Sequence, residues 1–176
     1  MNLQPAIFLD RDGTLMEEAG YCADPSQVRV LPRVPEALQA LRSAGYLLII
    51  VTNQSGIGRG YFTEDAYRAV QAEFERQILP ARIDAVYFCP DAPGVPSGRR
   101  KPATGMIEQA VREHSVDVAR SYMIGDKSSD IECGIAAGCR SILVRTGYGK
   151  EHTHDAVAED FPAAVGLILA PSSQPG

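Results

Sequence analysis

Apolar runs that stop abruptly at polar residues set the pattern of this chain. Ala6-Ile7-Phe8-Leu9 ends at Asp10, Tyr46 to Val51 ends at Thr52, and Tyr122-Met123-Ile124 ends at Gly125-Asp126. Short runs that are apolar at every position read as strands buried on both faces. Asp84 to Phe88 and Ser141 to Val144 predict two more strands. Helical spacing fills the intervals. Val34, Leu38 and Leu41 mark one helix, with Pro35 early and Gly45 just past its end. Thr63 is a plausible N-cap for a second, with Glu64 and Asp65 in its first turn and Tyr67, Val70, Phe74 and Ile78 on one face. Met106, Ile107, Ala110 and Val111 mark a third, and Ile131, Ile135 and Ala136 a fourth. Strands alternating with helices predict an α/β fold: a doubly wound parallel sheet with helices on both faces. The Pro/Gly-rich stretch from Cys89 to Arg100 reads as a loop.

The chain has 176 residues and is 45% apolar, enough for one good core and one domain, expected over residues 1–170, with a disordered tail from Pro171 to Gly176. A net charge of −5 and no Lys/Arg cluster longer than Arg99-Arg100-Lys101 argue against a nucleic-acid partner. Residues 1–5 carry neither a basic nor an apolar leader pattern, so a cytoplasmic protein without membrane contact, expected to be a monomer, is the reading. Cys22, Cys89, Cys133 and Cys139 form no C-x-x-C pair and are expected to be buried thiols. His152 and His154 could hold a metal as an H-x-H pair, but their polar surroundings suit a solvated loop.

Chemistry gathers at the strand ends. In Asp10-Arg11-Asp12-Gly13-Thr14, residues two apart in an extended chain face the same way, so Asp10 and Asp12 can address one ligand. Neighbouring carboxylates repel, and in apolar surroundings a bound Mg²⁺ is the simplest way to keep them charged. An acidic turn facing water is the alternative. Thr52-Asn53-Gln54-Ser55-Gly56 offers hydroxyls and close backbone approach for phosphate oxygens, or a helix-capping loop. Lys101, after Arg100 and just before a helix, could neutralise a transferring phosphoryl group; by itself it would be a surface lysine. Asp126 is a third candidate metal ligand, the capping of the next helix being better suited to Ser128 or Ser129.

The ordered set D-R-D-G-T, T-N-Q-S-G, R-K-P and G-D-K resembles the haloacid dehalogenase superfamily of phosphatases. Within it the chain is similar to the heptose bisphosphate phosphatase family and its near relative, the histidinol-phosphate phosphatases. The resemblance implies Asp10 as nucleophile, forming an aspartyl-phosphate, and Asp12 as the acid and base that serves the leaving oxygen and then water. It implies Mg²⁺ held by Asp10, the Asp12 carbonyl oxygen and Asp126, and a small phosphorylated sugar as partner. Thr52, Asn53 and Lys101 would hold the transferring phosphoryl group. Glu18, Ala19, Gly20, Tyr21, Gln54, Ser55, Arg100 and Lys127 would touch substrate. Arg59 could grip a second phosphate or simply be a solvated loop arginine.

Only 37 residues separate Gly13 from Val51, already filled by a helix and a strand, so no cap domain is expected. Zinc-bearing relatives carry C-x-H and C-x-C in the loop before R-K-P, where this chain reads Cys89-Pro90-Asp91 and Pro96-Ser97-Gly98-Arg99-Arg100. One thiolate makes no tetrahedral site, so no structural zinc is expected and the loop should be held by its prolines. A phospho-aspartate receiver domain is the alternative from another class; Asp12, a proton shuttle that would hasten loss of the phosphoryl group, speaks against it.

Overall fold

A computed structural model describes residues 3–149 and 156–170. His152, His154 and the tail from Pro171 lie outside the described residues. Six parallel strands form one sheet: β1 (Ala6–Leu9), β2 (Leu47–Asn53), β3 (Ala85–Cys89), β4 (Tyr122–Gly125), β5 (Arg140–Val144) and β6 (Val157–Ala158), in the spatial order β3-β2-β1-β4-β5-β6. Six helices connect or flank them: α1 (Val34–Ser43), α2 (Ser55–Gly58), α3 (Glu64–Gln77), α4 (Gly105–His114), α5 (Ser128–Ala137) and α6 (Phe161–Leu169).

Alternation along the strands builds two cores. Ile7, Leu9, Leu48 and Ile50 pack under α1, α3 and α6, whereas Ala6, Phe8, Ile49, Val51 and Met123 pack under α4 and α5. Helices therefore cover both faces, as the strand pattern predicts. Val70 and Phe74 of α3 are fully buried, each contributing about 1.5–3 kcal/mol through removal from water. Thr63 caps α3, its hydroxyl accepting the Ala66 N–H. β1 lies between β2 and β4, where the chain order reverses, so the loops after these strands diverge and leave a crevice at their carboxyl ends. The interval from Gly13 to β2 holds one 3₁₀ turn and α1, and the interval from Ser55 to Arg100 holds α2, α3 and β3. No domain is inserted in either.

The structure departs from expectation in several places. β2 runs two residues past Val51, because Thr52 and Asn53 pair with Phe88 and Cys89 of β3. Strand β6 and helix α6 were not legible as such; Asp160 caps α6 and its Phe161, Ala164 and Val165 close the core over α1. Ile135 is 64% exposed: α5 buries Ile131, Cys133 and Gly134 instead. The N-cap of α5 is Lys127 rather than Ser128 or Ser129, since the Asp130 carboxylate reaches back to accept the Lys127 N–H. All four cysteines are buried free thiols.

Candidate active site

The ends of β2, β1 and β4 stand side by side and deliver their polar groups to one place. The Asp10 N–H donates to the Ile124 carbonyl of β4, which fixes the first carboxylate against the neighbouring strand. Asp10, Asp126 and Asp130 each offer an oxygen within 4.8 Å of the others, and all three are buried. Among the described residues theirs is the only group of three or more His, Cys, Asp or Glu side chains placed to share an ion.

Lys101 lies against this group. Its Nζ is 2.8 Å from Asp10 Oδ1, 2.6 Å from Asp130 Oδ1 and 2.7 Å from the Val51 carbonyl oxygen, so its three protons all have acceptors. Burial opposes its charge, but Asp10 and Asp130 outweigh burial and the net effect holds the ammonium protonated. The backbone of Lys101 is pinned as firmly. Asn53 Oδ1 accepts its N–H at 3.0 Å, and Asn53 Nδ2 donates to its carbonyl at 3.1 Å.

Asp126 has the opposite problem. Burial, then the charge of Asp10, pushes its carboxyl up to about 8. Oδ2 accepts the Tyr148 N–H at 2.8 Å, while Oδ1 is buried with no partner. The backbone is cut away to admit this side chain. A Cβ on Gly13 would lie 2.4 Å, and one on Gly147 2.2 Å, from Asp126 Oδ2, and both glycines have positive φ (+82° and +59°). An orphaned buried oxygen among three crowded carboxylates fits a divalent cation with hard oxygen ligands. The Asp12 carboxylate is not in that cluster, so only its carbonyl remains as the ligand the resemblance implies. Asp130 takes the Lys101 ammonium and the Lys127 N–H.

Asp12 lines one cavity together with Asp10, held by Arg11 and by Gln54 Nε2 at 3.0 Å. This cavity, about 270 Å³, is lined by Asp10, Asp12, Thr52, Arg59, Arg100 and Lys127 among others. Glu18, Gly20, Tyr21, Asn53, Gln54 and Ser55 line it as well, whereas Ala19 does not and Lys101 lies beneath its floor. Lys127 sits 3.7 Å from Glu18 and 4.7 Å from the centroid of the Tyr148 ring. Burial, and then the charge of Asp12, raises the Glu18 carboxyl. Two loops meet at the rim, where the Tyr21 and Tyr61 rings stand edge to face with centroids 4.8 Å apart. Beyond Glu18 and Tyr148 a wider, more open cleft of about 740 Å³ runs between Gly13, Leu31 and Arg145, but none of the clustered carboxylates lines it.

Polar side chains hydrogen-bond across the loop from Cys89 to Arg100. Ser97 Oγ accepts the N–H groups of Arg99 and Arg100, both at 3.2 Å, and lies 3.6 Å from Cys89 Sγ. Cys89 Sγ is 3.3 Å from Asp91 Oδ2, and Arg100 Nη1 donates to the Asp91 carbonyl at 3.1 Å. One cysteine surrounded by a hydroxyl and a single carboxylate does not fit zinc.

Sequence reasoning passed over Arg11, Gln71 and the role of Asp130. An arginine or glutamine has no periodic signature, and Asp130, five residues past β4, could be read only as one more carboxylate near a strand end.

A family model described as HAD-hydrolase-like matches residues 98–166. D-glycero-D-manno-heptose-1,7-bisphosphate 7-phosphatase of Thermosynechococcus vestitus is 38% identical over 193 residues, covering 96% of this chain and 98% of that one. D-glycero-beta-D-manno-heptose-1,7-bisphosphate 7-phosphatase of Haemophilus ducreyi is 39% identical over 155 residues, 81% of this chain and 84% of the relative. The crystal structure of the D,D-heptose 1,7-bisphosphate phosphatase of B. bronchiseptica, complexed with magnesium and phosphate, superposes with a TM-score of 0.87 at 30% identity, covering 94% of this chain and 98% of that one. The chain therefore belongs to the haloacid dehalogenase superfamily of phosphatases and, within it, to the heptose bisphosphate phosphatase family.

Proposed function

We propose that the protein is a Mg²⁺-dependent phosphatase that removes the 7-phosphate of D-glycero-D-manno-heptose 1,7-bisphosphate through an aspartyl-phosphate. The observation that carries this reading is the buried Asp10, Asp126 and Asp130 cluster, braced by Lys101 at the floor of a polar cavity. Asp10, the Asp12 carbonyl oxygen and Asp126 would hold the cation. When bound, Mg²⁺ would keep the Asp10 carboxylate ionised and offset charge on the phosphoryl oxygens.

The residues divide the work. An Asp10 oxygen bonds to phosphorus as the ester P–O bond breaks, and Asp12 gives its proton to the departing sugar oxygen. Water then bonds to phosphorus, its proton passes to Asp12, and the bond to Asp10 breaks, releasing inorganic phosphate. Thr52, whose Oγ1 accepts from Gln54 Nε2 at 2.9 Å, keeps its own proton free for a phosphoryl oxygen. Lys101 reaches the phosphoryl group only by exchanging one of its three present acceptors, and Asp10 is the natural one to release as it turns toward phosphorus. Asn53 contributes by holding the Lys101 peptide. Arg59 and Arg100, both on the cavity wall, are the cations for the second phosphate, and Glu18, Gly20, Tyr21, Gln54, Ser55 and Lys127 border the sugar. Without an inserted cap the site stays open, which suits a small soluble substrate in the cytoplasm, and residues 1–170 suffice as a monomeric unit. No helix of the described residues is long and apolar enough to cross a membrane.

A kinetic panel tests the reading. The heptose bisphosphate should show a higher kcat/KM than histidinol phosphate, and the reverse order overturns the substrate. Asp10→Asn should abolish turnover while circular dichroism stays native; near-normal activity removes the nucleophile.

A further inference from the structure

Arg11 carries a guanidinium with no access to solvent, among the largest fully buried side chains of the protein. Charged side chains are almost never hidden this completely unless they are paired. Here Nε donates to Asp12 Oδ2 at 3.1 Å, and Nη2 donates to Oδ1 at 3.3 Å while also lying 3.1 Å from Oδ2, so two guanidinium nitrogens engage the carboxylate of the very next residue. On its far edge Nη1 donates to Gln71 Oε1 at 3.1 Å, and Gln71 is itself oriented by donating to Glu75 Oε1 at 3.0 Å. The Tyr67 ring covers the guanidinium with its centroid 5.2 Å away. Helix α3 thus supplies, through Tyr67 and Gln71, a socket that fixes the plane of this group. The Arg11 carbonyl also accepts the N–H groups of Leu15 at 2.9 Å and Met16 at 3.2 Å, closing the turn that carries Asp12.

We infer that Arg11 is a positioning residue that locks the Asp12 carboxyl in the orientation its proton transfers require. The inference rests on the acid-base role proposed for Asp12. Lone pairs identify the working atom. Oδ2 takes Arg11 Nε and Gln54 Nε2, whereas Oδ1 takes only Arg11 Nη2, so Oδ1 keeps the lone pair available to substrate and water. A lysine could supply the charge but not the fork. Proton transfer by a placed group is worth about 10²–10⁴-fold, and a misplaced carboxyl forfeits most of it.

The test uses the full chain with Mg²⁺ and compares wild type with Asp12→Asn, Arg11→Lys and Gln71→Leu by rapid quench. Two esters are used: an alkyl phosphate, whose leaving oxygen needs a proton, and 4-nitrophenyl phosphate, whose leaving group departs without one. Arg11→Lys should lose about 100-fold in kcat on the alkyl ester with KM changed less than about 3-fold. On the nitrophenyl ester it should give a fast first turnover followed by slow release, because water activation still needs a placed Asp12. Gln71→Leu leaves the fork in place but loosens its socket, so it should show the same burst with a loss of about 3–10-fold; it decides the matter if Arg11→Lys does not fold. Arg11→Lys turning over the alkyl ester within about 3-fold of wild type, or slowing both first turnovers equally without a burst, overturns the inference. Wild-type turnover in Asp12→Asn instead removes the acid-base reading on which it stands.

Discussion

Lys101 and Asp130 meet at 2.6 Å, and both side chains are almost entirely sealed from solvent. The pair sits beneath Asp10 and Asp126 rather than on the cavity wall. Burial and the Asp10 charge raise the Asp130 carboxyl, against the opposing pull of Lys101. Without the ammonium, three carboxylates would face one another with only the charge of Lys127 to offset them. Lys101→Met should therefore cost about 3–5 kcal/mol in urea unfolding without divalent cations, and abolish turnover. A loss under about 1 kcal/mol would show that the pair is not holding the floor together.

Metal dependence should localise to Asp126. EDTA should abolish turnover and Mg²⁺ restore it, and Asp126→Asn should raise the Mg²⁺ concentration for half-maximal rate by about tenfold or more. Activity that survives exhaustive chelation would sink the cation proposal.

Two glycines should respond to alanine with opposite signs. At Gly13 the new methyl meets the Asp126 carboxylate in a left-handed backbone, so Gly13→Ala should destabilise by about 1–2 kcal/mol or more and cripple the site. Gly166, inside α6, has nothing within 4 Å of an added Cβ, and Gly166→Ala should stabilise by about 0.5–1 kcal/mol. Thermal melts of both variants check this, and stabilisation at Gly13 would contradict the cradle around Asp126.

Burial pushes the Cys133 thiol up to about 11 and that of Cys139 up to about 12. Raised values favour the neutral thiol, so the native protein holds less thiolate than the unfolded chain, whose cysteines titrate near about 8.5. At pH 8 a disulfide reagent should label native Cys133 and Cys139 far more slowly than in urea. Equal rates would mean that these thiols are not shielded.

The loop around Cys89 should purify without metal. Elemental analysis should find no stoichiometric zinc, and Cys89→Ser should leave the metal content unchanged. One zinc per chain would overturn the assignment of this loop to the hydrogen bonds of Ser97.

What could be read in advance divides along physical lines. The central strands, α1, α3 and the cluster of polar strand ends were legible because an apolar run that halts at Asp10, Thr52 or Asp126 records burial and exposure in one dimension. Thr63 announced α3 because a cap acts on its own backbone. Arg11 was opaque for the converse reason: its partner Gln71 lies 60 positions away, and an arginine in isolation reads as surface. Asp130 was legible only as a carboxylate near a strand end; its pairing with Lys101 was not, because the two lie 29 positions apart (130 − 101). The hydrogen bonds that Ser97 and Asp91 make in the loop before Arg100 were not legible, since such short polar side chains follow no pattern there.

Asp126 is wedged between Gly13, in the turn after β1, and Gly147, in the turn after β5. The two walls of this cradle stand 134 positions apart (147 − 13), so a fragment that stops short of β5 and the turn after it cannot close the space around that carboxylate.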